Sequence, residues 1–413
     1  MSRFIQLHLL TAYPPANLNR DDQGSPKTAK MGGYDRLRVS SQCLKRTWRT
    51  SKLFEEEISN NEKFSVFGKQ LPINSGKRSK EFSTEWVKPY LTGKGIEEVP
   101  AENWSKDLCR AFGSMENDEN KLSQLAQISD IEAKGFEGLV DEVCRVLLNN
   151  EVSDVVNELK ELIAKRDAKK KSDDIKNANV AITKFLAQKV LLEGKSSVDI
   201  ALFGRMLASS PAFNVEAACQ VAHSISVHPV VIEDDYFTAV DDLNNRLDDT
   251  GAAHIGETRF AAGLFYSYIC INRELLIQNL DGNEELAEEL ANKAIRALTE
   301  AAVKVAPAGK QNSFASRAYA SYVLAEKGDQ QPRSLSVAYL KPINNRENDD
   351  FLRDAIDALV KQKDSFDRVY GKCADNRFEL NVLASMDEKE KEDDKSLSEK
   401  KTPFEKLLDF VGK

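Results

Sequence analysis

The sequence predicts an α+β fold: a ferredoxin-like (RRM-type) sheet split by a large helical insertion. Three observations carry this. Residues 3–12 alternate loosely between apolar and polar side chains, the period of a half-buried strand. Residues 100–210 hold long Leu/Val/Ala periodicities among many Glu and Lys, the pattern of surface helices. Residues 260–272, FAAGLFYSYICIN, are apolar nearly throughout and suit a central strand covered on both faces. The gross order is strand, helix, helical insertion, strand, helix, strand, strand, helix, and a ferredoxin-like sheet fits it.

In chain order, the strand at 3–12 leads into YPPANLNRDDQGSPKTAKMGGYD, a Pro-, Gly-, Asn- and Asp-rich stretch read as a loop long enough to carry function. RLRVS is a short extended piece. SSQCLKRTWRTSKLFEEE reads as a helix capped by Ser40 or Ser41, with Leu44 and Trp48 on its apolar stripe. Residues 55–85 are polar and weakly patterned. Within the helical insertion, AKRDAKKKSDD is an exposed turn whose lysines are either a solvated surface or a phosphate contact. Residues 197–228 read as a strand or turn around Gly204, then a helix. After the central strand, 273–305 is helical, SFASRAYASYVLAE and SLSVAYLKPI are strands, and 348–370 is a helix. The tail SMDEKEKEDDKSLSEKK is charged and low in complexity, with the signature of a mobile segment.

Composition narrows the function classes. The 413 residues suggest two or three domain-sized pieces. Apolar residues are 41% and charged residues 30%, as in ordinary soluble proteins, and no apolar run nears the roughly 20 residues that span a bilayer. The N-terminus has no long apolar core or small-residue cleavage site, so no secretory signal is expected. The six cysteines are scattered without a CxxC pair, which excludes a disulfide framework or zinc ribbon and fits a reducing cytoplasm. No GxxxxGK[ST], GxSxG or HExxH motif occurs. No membrane partner, cofactor, metal or catalytic residue is assigned.

Charge is unevenly spread. Residues 1–52 hold ten Lys and Arg against Asp21, Asp22 and Asp35, a net +7, so the other 361 residues carry −15 of a total −8. A basic head on an acidic body points to one anion-binding surface. Arg36, Arg38 and Ser40 share one face of an extended RLRVS, with Leu37 and Val39 on the other. Lys45, Arg49 and Lys52 share one face of the next helix. Arginines, hydroxyls and the amides of a helix N-terminus suit phosphodiester oxygens, and the plainer alternative is a solvated amphipathic helix.

Three further groups are candidates. Asn19, Asp21 and Asp22 in NLNRDDQG can ligate a divalent cation or serve acid–base chemistry, or simply form an Asx-turn. Met206 and Phe237-Thr238 lie in polar or turn-like surroundings, where an exposed apolar side chain can wedge against bases, although both residue types usually belong to cores. Among His8, His223, His228 and His254, only His223 pairs with a cysteine, Cys219, at the i, i+4 spacing of a helical chelate. No further ligand has a convincing spacing, and ordinary packing is the simpler reading.

HLLTAYPPANLNRDDQGSPKTAKMGGYDRLRVSSQCLKRTWRTS strongly resembles the N-terminus of the CasC family, the backbone subunit of the type I-E CRISPR Cascade. NRDD, then K-x-A, GG and RLRVSSQCLKR form an ordered signature. DIALFGRM with AHSISVH, and DDYFTAVDDL with GAAHIG, are further matches in the same order. The resemblance implies a right-hand shape: palm at 1–54, 201–228 and 261–380, helical fingers at 55–200, a thumb hairpin at 229–260 and a charged tail at 381–413. It implies a non-catalytic, cytoplasmic subunit of antiviral defence that oligomerises along CRISPR RNA (crRNA) and holds its backbone. Guide bases are left free to pair with target DNA in an R-loop. The implied partners are crRNA, target DNA, further copies of the chain, other Cascade subunits and, indirectly, a recruited nuclease-helicase. Arg20, Lys27, Arg36, Arg38, Ser40, Ser41, Gln42, Lys45, Arg46 and Arg49 would face the guide backbone. Met206, Phe237 and Thr238 would pack around a kinked nucleotide, and Lys310, Gln311 and Asn312 would form a further loop contact. The competing readings are a metal-dependent ribonuclease using Asp21 and Asp22, and an assembly protein whose basic head binds an acidic partner.

Overall fold

Strand β1 (Phe4–Ala16) runs further than the alternation in the sequence suggests, because it has a partner on each side. The computed structural model describes residues 2–116, 120–239, 254–280, 284–343, 350–384 and 401–413. After β1 come the hairpin β2 (Thr28–Met31) and β3 (Tyr34–Val39), then helices α1 (Ser41–Arg49) and α2 (Lys52–Ser59). The stretch read as one loop therefore contains a strand, and the single helix expected after it is two.

Two small hairpins follow, β4 (Lys63–Val66) with β5 (Lys69–Pro72) and β6 (Lys77–Ser79) with β7 (Ala126–Ile128). Around them lie α3 (Lys88–Gly93), α4 (Glu98–Cys109), α5 (Asp130–Asn149), α6 (Asp154–Asp167), α7 (Ser172–Val190) and α8 (Val198–Phe203). The turn between α6 and α7 is exposed, as its run of lysines predicts.

The chain returns through β8 (Cys219–Val221), β9 (Ser224–Ser226), β10 (Glu233–Ala239) and β11 (His254–Asn272). The helix expected to follow the Gly204 turn is absent from its last part, where β8 and β9 stand instead. β11 offers them an open edge, pairing with β8 through Ile269↔Val221 and with β9 through Phe265↔Ser226, and such pairing outweighs the helical propensity of an Ala-rich stretch. The remaining elements are α9 (Arg273–Leu280), α10 (Glu284–Lys304), the one-turn α11 (Gln311–Phe314), β12 (Ala320–Gly328), α12 (Phe351–Tyr370), β13 (Asn376–Asn381) and α13 (Pro403–Val411).

Two compact units result. The first, residues 1–54, 219–273 and 295–413, holds the large sheet, ordered β13-β12-β1-β11-β9-β3-β2 with each neighbouring pair antiparallel. Leu10, Tyr266, Tyr322 and Leu324 pack with Ile356 and Leu359 of α12. Full burial of each such side chain is worth about 1.5–3 kcal/mol. The second unit, residues 55–218 and 274–294, is built around Phe82, Trp86, Phe112 and Phe136. Residues 201–218, expected with the sheet, thus fall in the helical unit.

One further expectation is corrected. SLSVAYLKPI is not a strand: Ser336–Tyr339 form a tight 3-10 turn. Leu335 and Tyr339, four apart, are both buried, and the Tyr339 hydroxyl donates to the Ala355 carbonyl at 2.8 Å. Beyond the low-complexity stretch 385–401, the chain closes on the helix α13. In α13 a Thr402–Glu405 capping box starts the helix, Leu407, Leu408 and Val411 are buried, and Asp409 pairs with Arg296 at 2.8 Å. Residues 385–400 lie outside the described residues.

Candidate nucleic-acid interface

The basic head is assembled by a hairpin turn that only glycine can make. Gly32 sits at φ +62°, and a Cβ there would fall 1.8 Å from the Leu340 carbonyl oxygen. The turn sets β2 against β3, and beyond their register the Arg38 amide donates to the Lys27 carbonyl at 2.8 Å, bringing those two cations together. Ser40 ends β3 as the N-cap of α1. Its hydroxyl accepts from the Cys43 amide at 3.3 Å, and its own amide donates to Asn19 Oδ1 at 2.9 Å. In α1, Leu44 and Trp48 are buried, no acid occupies the first turn, and Arg46 and Arg49 lie in the last. Lys45, Arg46 and Arg49 therefore occupy the partly or fully exposed circumference.

Beside α1 lies a cleft of about 1150 Å³ within the sheet unit. Residues 18–24 form one wall, Cys43, Arg46, Thr47 and Thr50 of α1 a second, and residues 304–319 the third. Arg20, Arg46, Lys304 and Arg317 line it, and so does Tyr319, which is 65% exposed. Gly309 lets the third wall press against the first, since a Cβ there would lie 2.3 Å from the Leu18 carbonyl oxygen. Two acids also line the cleft. Asp21 turns its Oδ1 to the amides of Gln23 and Ser25, at 3.0 and 2.8 Å, which is the Asx-turn geometry. Asp22 is exposed. Among the described residues no cluster of three His, Cys, Asp or Glu side chains is placed to hold a metal ion.

Several expected contacts are corrected. Arg36 does not face solvent with Arg38. It is fully buried, and its guanidinium donates to the carbonyls of Ser226 at 2.9 Å and Tyr339 at 2.8 Å. The Ser40 hydroxyl is spent on the helix cap. Lys310, in left-handed backbone at φ +46°, donates to the Thr258 hydroxyl, whereas Gln311 lines the cleft and Asn312 is exposed. The helical chelate of Cys219 and His223 does not exist, because Cys219 is buried in β8. His223 is exposed, and its Nδ1 accepts the Ser41 amide at 2.9 Å. Partial burial, then the charges of Arg38 and Lys27, lower its pKa. His8 is buried against Tyr266 and Glu326, His228 accepts from the Leu264 amide, and the His254 side chain lies outside the described residues.

β10 pairs antiparallel with the first part of β11 from Glu233↔Phe260 to Ala239↔His254. Residues 240–253 lie outside the described residues. Phe237 faces Gly256 across this ribbon, 44% exposed, and a Cβ at Gly256 would fall 2.3 Å from the ring. The missing side chain thus makes a seat for an aromatic ring on a polar strand. Tyr236 and Thr238 are exposed beside it.

In the helical unit, FGRM has a clear local logic. Gly204, at φ +78°, turns the chain where a Cβ would meet the Val215 carbonyl at 3.0 Å. Arg205 is buried on Glu132 at 2.6 Å, and Met206 stands out 78% exposed. Met206 borders a hollow of about 550 Å³ with Arg78, Leu125, Gln127 and Phe203.

Sequence reasoning missed Arg317, Tyr319 and Lys304 in the cleft. The i, i+2 spacing of Arg317 and Tyr319 just before β12 was the available signal.

A family model described as CT1975-like protein matches residues 5–409. No curated protein matches. A solved chain titled "CRISPR RNA-guided surveillance complex, pre-nicking" is similar at TM-score 0.69 and 24% identity, over 99% of this chain and 100% of that one. A second, "CRISPR RNA-guided surveillance complex", reaches TM-score 0.53 at 22% identity, over 99% of each chain. With a match across nearly its whole length, the chain belongs to the CT1975-like protein family, the CasC-like family that its N-terminal motifs resemble.

Proposed function

We propose that this chain is a non-catalytic backbone subunit of a type I-E Cascade, binding crRNA along the α1 face and the adjoining cleft. The observation that carries the reading is the cleft itself: Arg20, Arg46, Lys304 and Arg317 around an exposed Tyr319, next to Lys27, Arg38, Lys45 and Arg49. Cations in a groove with an open aromatic face suit a sugar–phosphate backbone and a stacked base, without reading sequence. The order β12-β1-β11-β9, with α1 and α10 as crossover helices, supports a ferredoxin-like palm. Phe237, Thr238 and Met206 are proposed to pack around one displaced guide nucleotide where copies meet, leaving the other bases to pair with target DNA. Residues 55–200 would then be the fingers and 229–260 the thumb. The solved relatives' titles name RNA-guided surveillance complexes, which supports crRNA and other Cascade subunits as partners; sister copies, target DNA and a recruited nuclease-helicase complete the proposed set.

Arg46→Ala and Arg317→Ala each should weaken binding to single-stranded RNA at all sequences. Each should also reduce the slope of log K against log salt by about 0.7–1. Unchanged slopes would reject the cleft as the RNA site. The ribonuclease reading stays a second arm of the same experiment: Mg²⁺-dependent cuts abolished by Asp22→Ala would replace the proposal.

A further inference from the structure

His223 sits in the turn between β8 and β9, on the cationic strip formed by Lys27 and Arg38. Its Nδ1 accepts the Ser41 amide proton at 2.9 Å, so in the neutral ring the remaining proton is on Nε2. A proton added at Nδ1 would face an amide donor already there, and two neighbouring cations oppose it further. The ring is thus a neutral donor of fixed tautomer in a strip otherwise made of charges. Nε2 has no hydrogen-bond partner among the described residues, and the side chain is exposed.

Resting on the RNA-binding reading above, we infer that His223 donates its Nε2–H to a backbone oxygen of the bound RNA, either a phosphate oxygen or a ribose 2′-hydroxyl. Being uncharged, it releases no counterion. It fixes the position of a backbone that the cations only attract.

Two substitutions separate this role from a structural one. His223→Gln keeps an amide donor near the Nε2 position and loses the acceptor for Ser41. His223→Asn keeps that acceptor and loses the donor. Binding of the full-length protein to a mixed-sequence single-stranded RNA, and to the matching DNA, is measured across a salt series. A hydrogen-bond donor role predicts that Asn weakens binding about three- to tenfold with an unchanged salt slope, while Gln stays near the parent. A loss confined to RNA identifies the 2′-hydroxyl, and an equal loss on DNA identifies phosphate. If Asn binds like the parent, or if Gln lowers binding and melting temperature while Asn does neither, His223 is only a prop for Ser41 and the inference fails. Arg38→Ala in the same assay is the control. If it too leaves RNA binding unchanged, the RNA-binding reading of this strip falls instead.

Discussion

Arg36 and Arg38 stand two positions apart on β3 and meet opposite fates. Alternation alone places them on one face, and the sequence gives no reason to separate them. The structure does, because the 3-10 turn at 336–339 covers Arg36 and supplies a carbonyl acceptor, while Arg38 stays half-exposed over β2. That turn was read as a strand, so the cover could not be foreseen. Asp21 is more legible, since a short polar side chain three positions before a glycine, in Asp21-Asp22-Gln23-Gly24, favours bonding to its own backbone. The buried ion cluster around Glu326 was not legible at all, because its members lie far apart in sequence. Glu326 accepts from Arg377 at 2.7 Å and from Arg333 and His8, all in the sheet unit. Burial opposes its ionisation, but the hydrogen bonds from His8 and Arg333 outweigh this and hold its pKa well below the carboxylate range. Burial also lowers the pKa of His8. Both groups therefore contribute stability at neutral pH that is lost on acidification, beginning below about 6.5 for His8 and deepening below about 4.3 for Glu326. Glu326→Gln should destabilise the protein by about 3–5 kcal/mol at pH 7 and flatten the acid limb of a denaturation series. A variant as stable as the parent, with the same acid limb, would show that the cluster contributes nothing.

At the scale of elements, α1 was the most readable. Its serine cap, its Leu44–Trp48 stripe and its cationic remainder are local features, and the structure reproduces each. β8 and β9 were not readable, because three-residue strands take their shape from the neighbour they pair with rather than from propensity. The ribbon of β10 and β11 lies between these cases. The exposed Phe237 was suspected from its polar setting, but the glycine that seats it, nineteen positions on, is a cross-strand relation. The seat can be tested directly. Gly256→Val would push the Phe237 ring off its partner strand while leaving the palm intact. Regular spacing of nuclease protection along a bound guide should blur in that variant and in Phe237→Ala, with the melting temperature unchanged. Sharp, parent-like spacing in both would remove Phe237 from the interface.

Across the whole chain, the charge imbalance in the sequence has a structural counterpart. Seven of the ten N-terminal cations are implied by the resemblance to face the guide backbone, and Arg36 is the one the structure buries. The acidic remainder disfavours packing of like copies without a bridging polyanion. The sheet unit gives way to the helical unit after Phe54, a boundary that the polar, weakly patterned residues 55–85 do not mark by their periodicity. The return boundary was placed too early, because residues 201–218 carry Arg205, whose partner Glu132 belongs to the helical unit. No described helix is long and apolar enough to cross a membrane. In the proposed assembly, RNA is what strings copies of this chain together. Native mass spectrometry of the protein purified from cells carrying a CRISPR array, before and after ribonuclease treatment, tests it most directly. Several copies on one guide-length RNA, collapsing to smaller species when exposed RNA is digested, are expected. Monomers without RNA, or a fixed oligomer indifferent to ribonuclease, would contradict it.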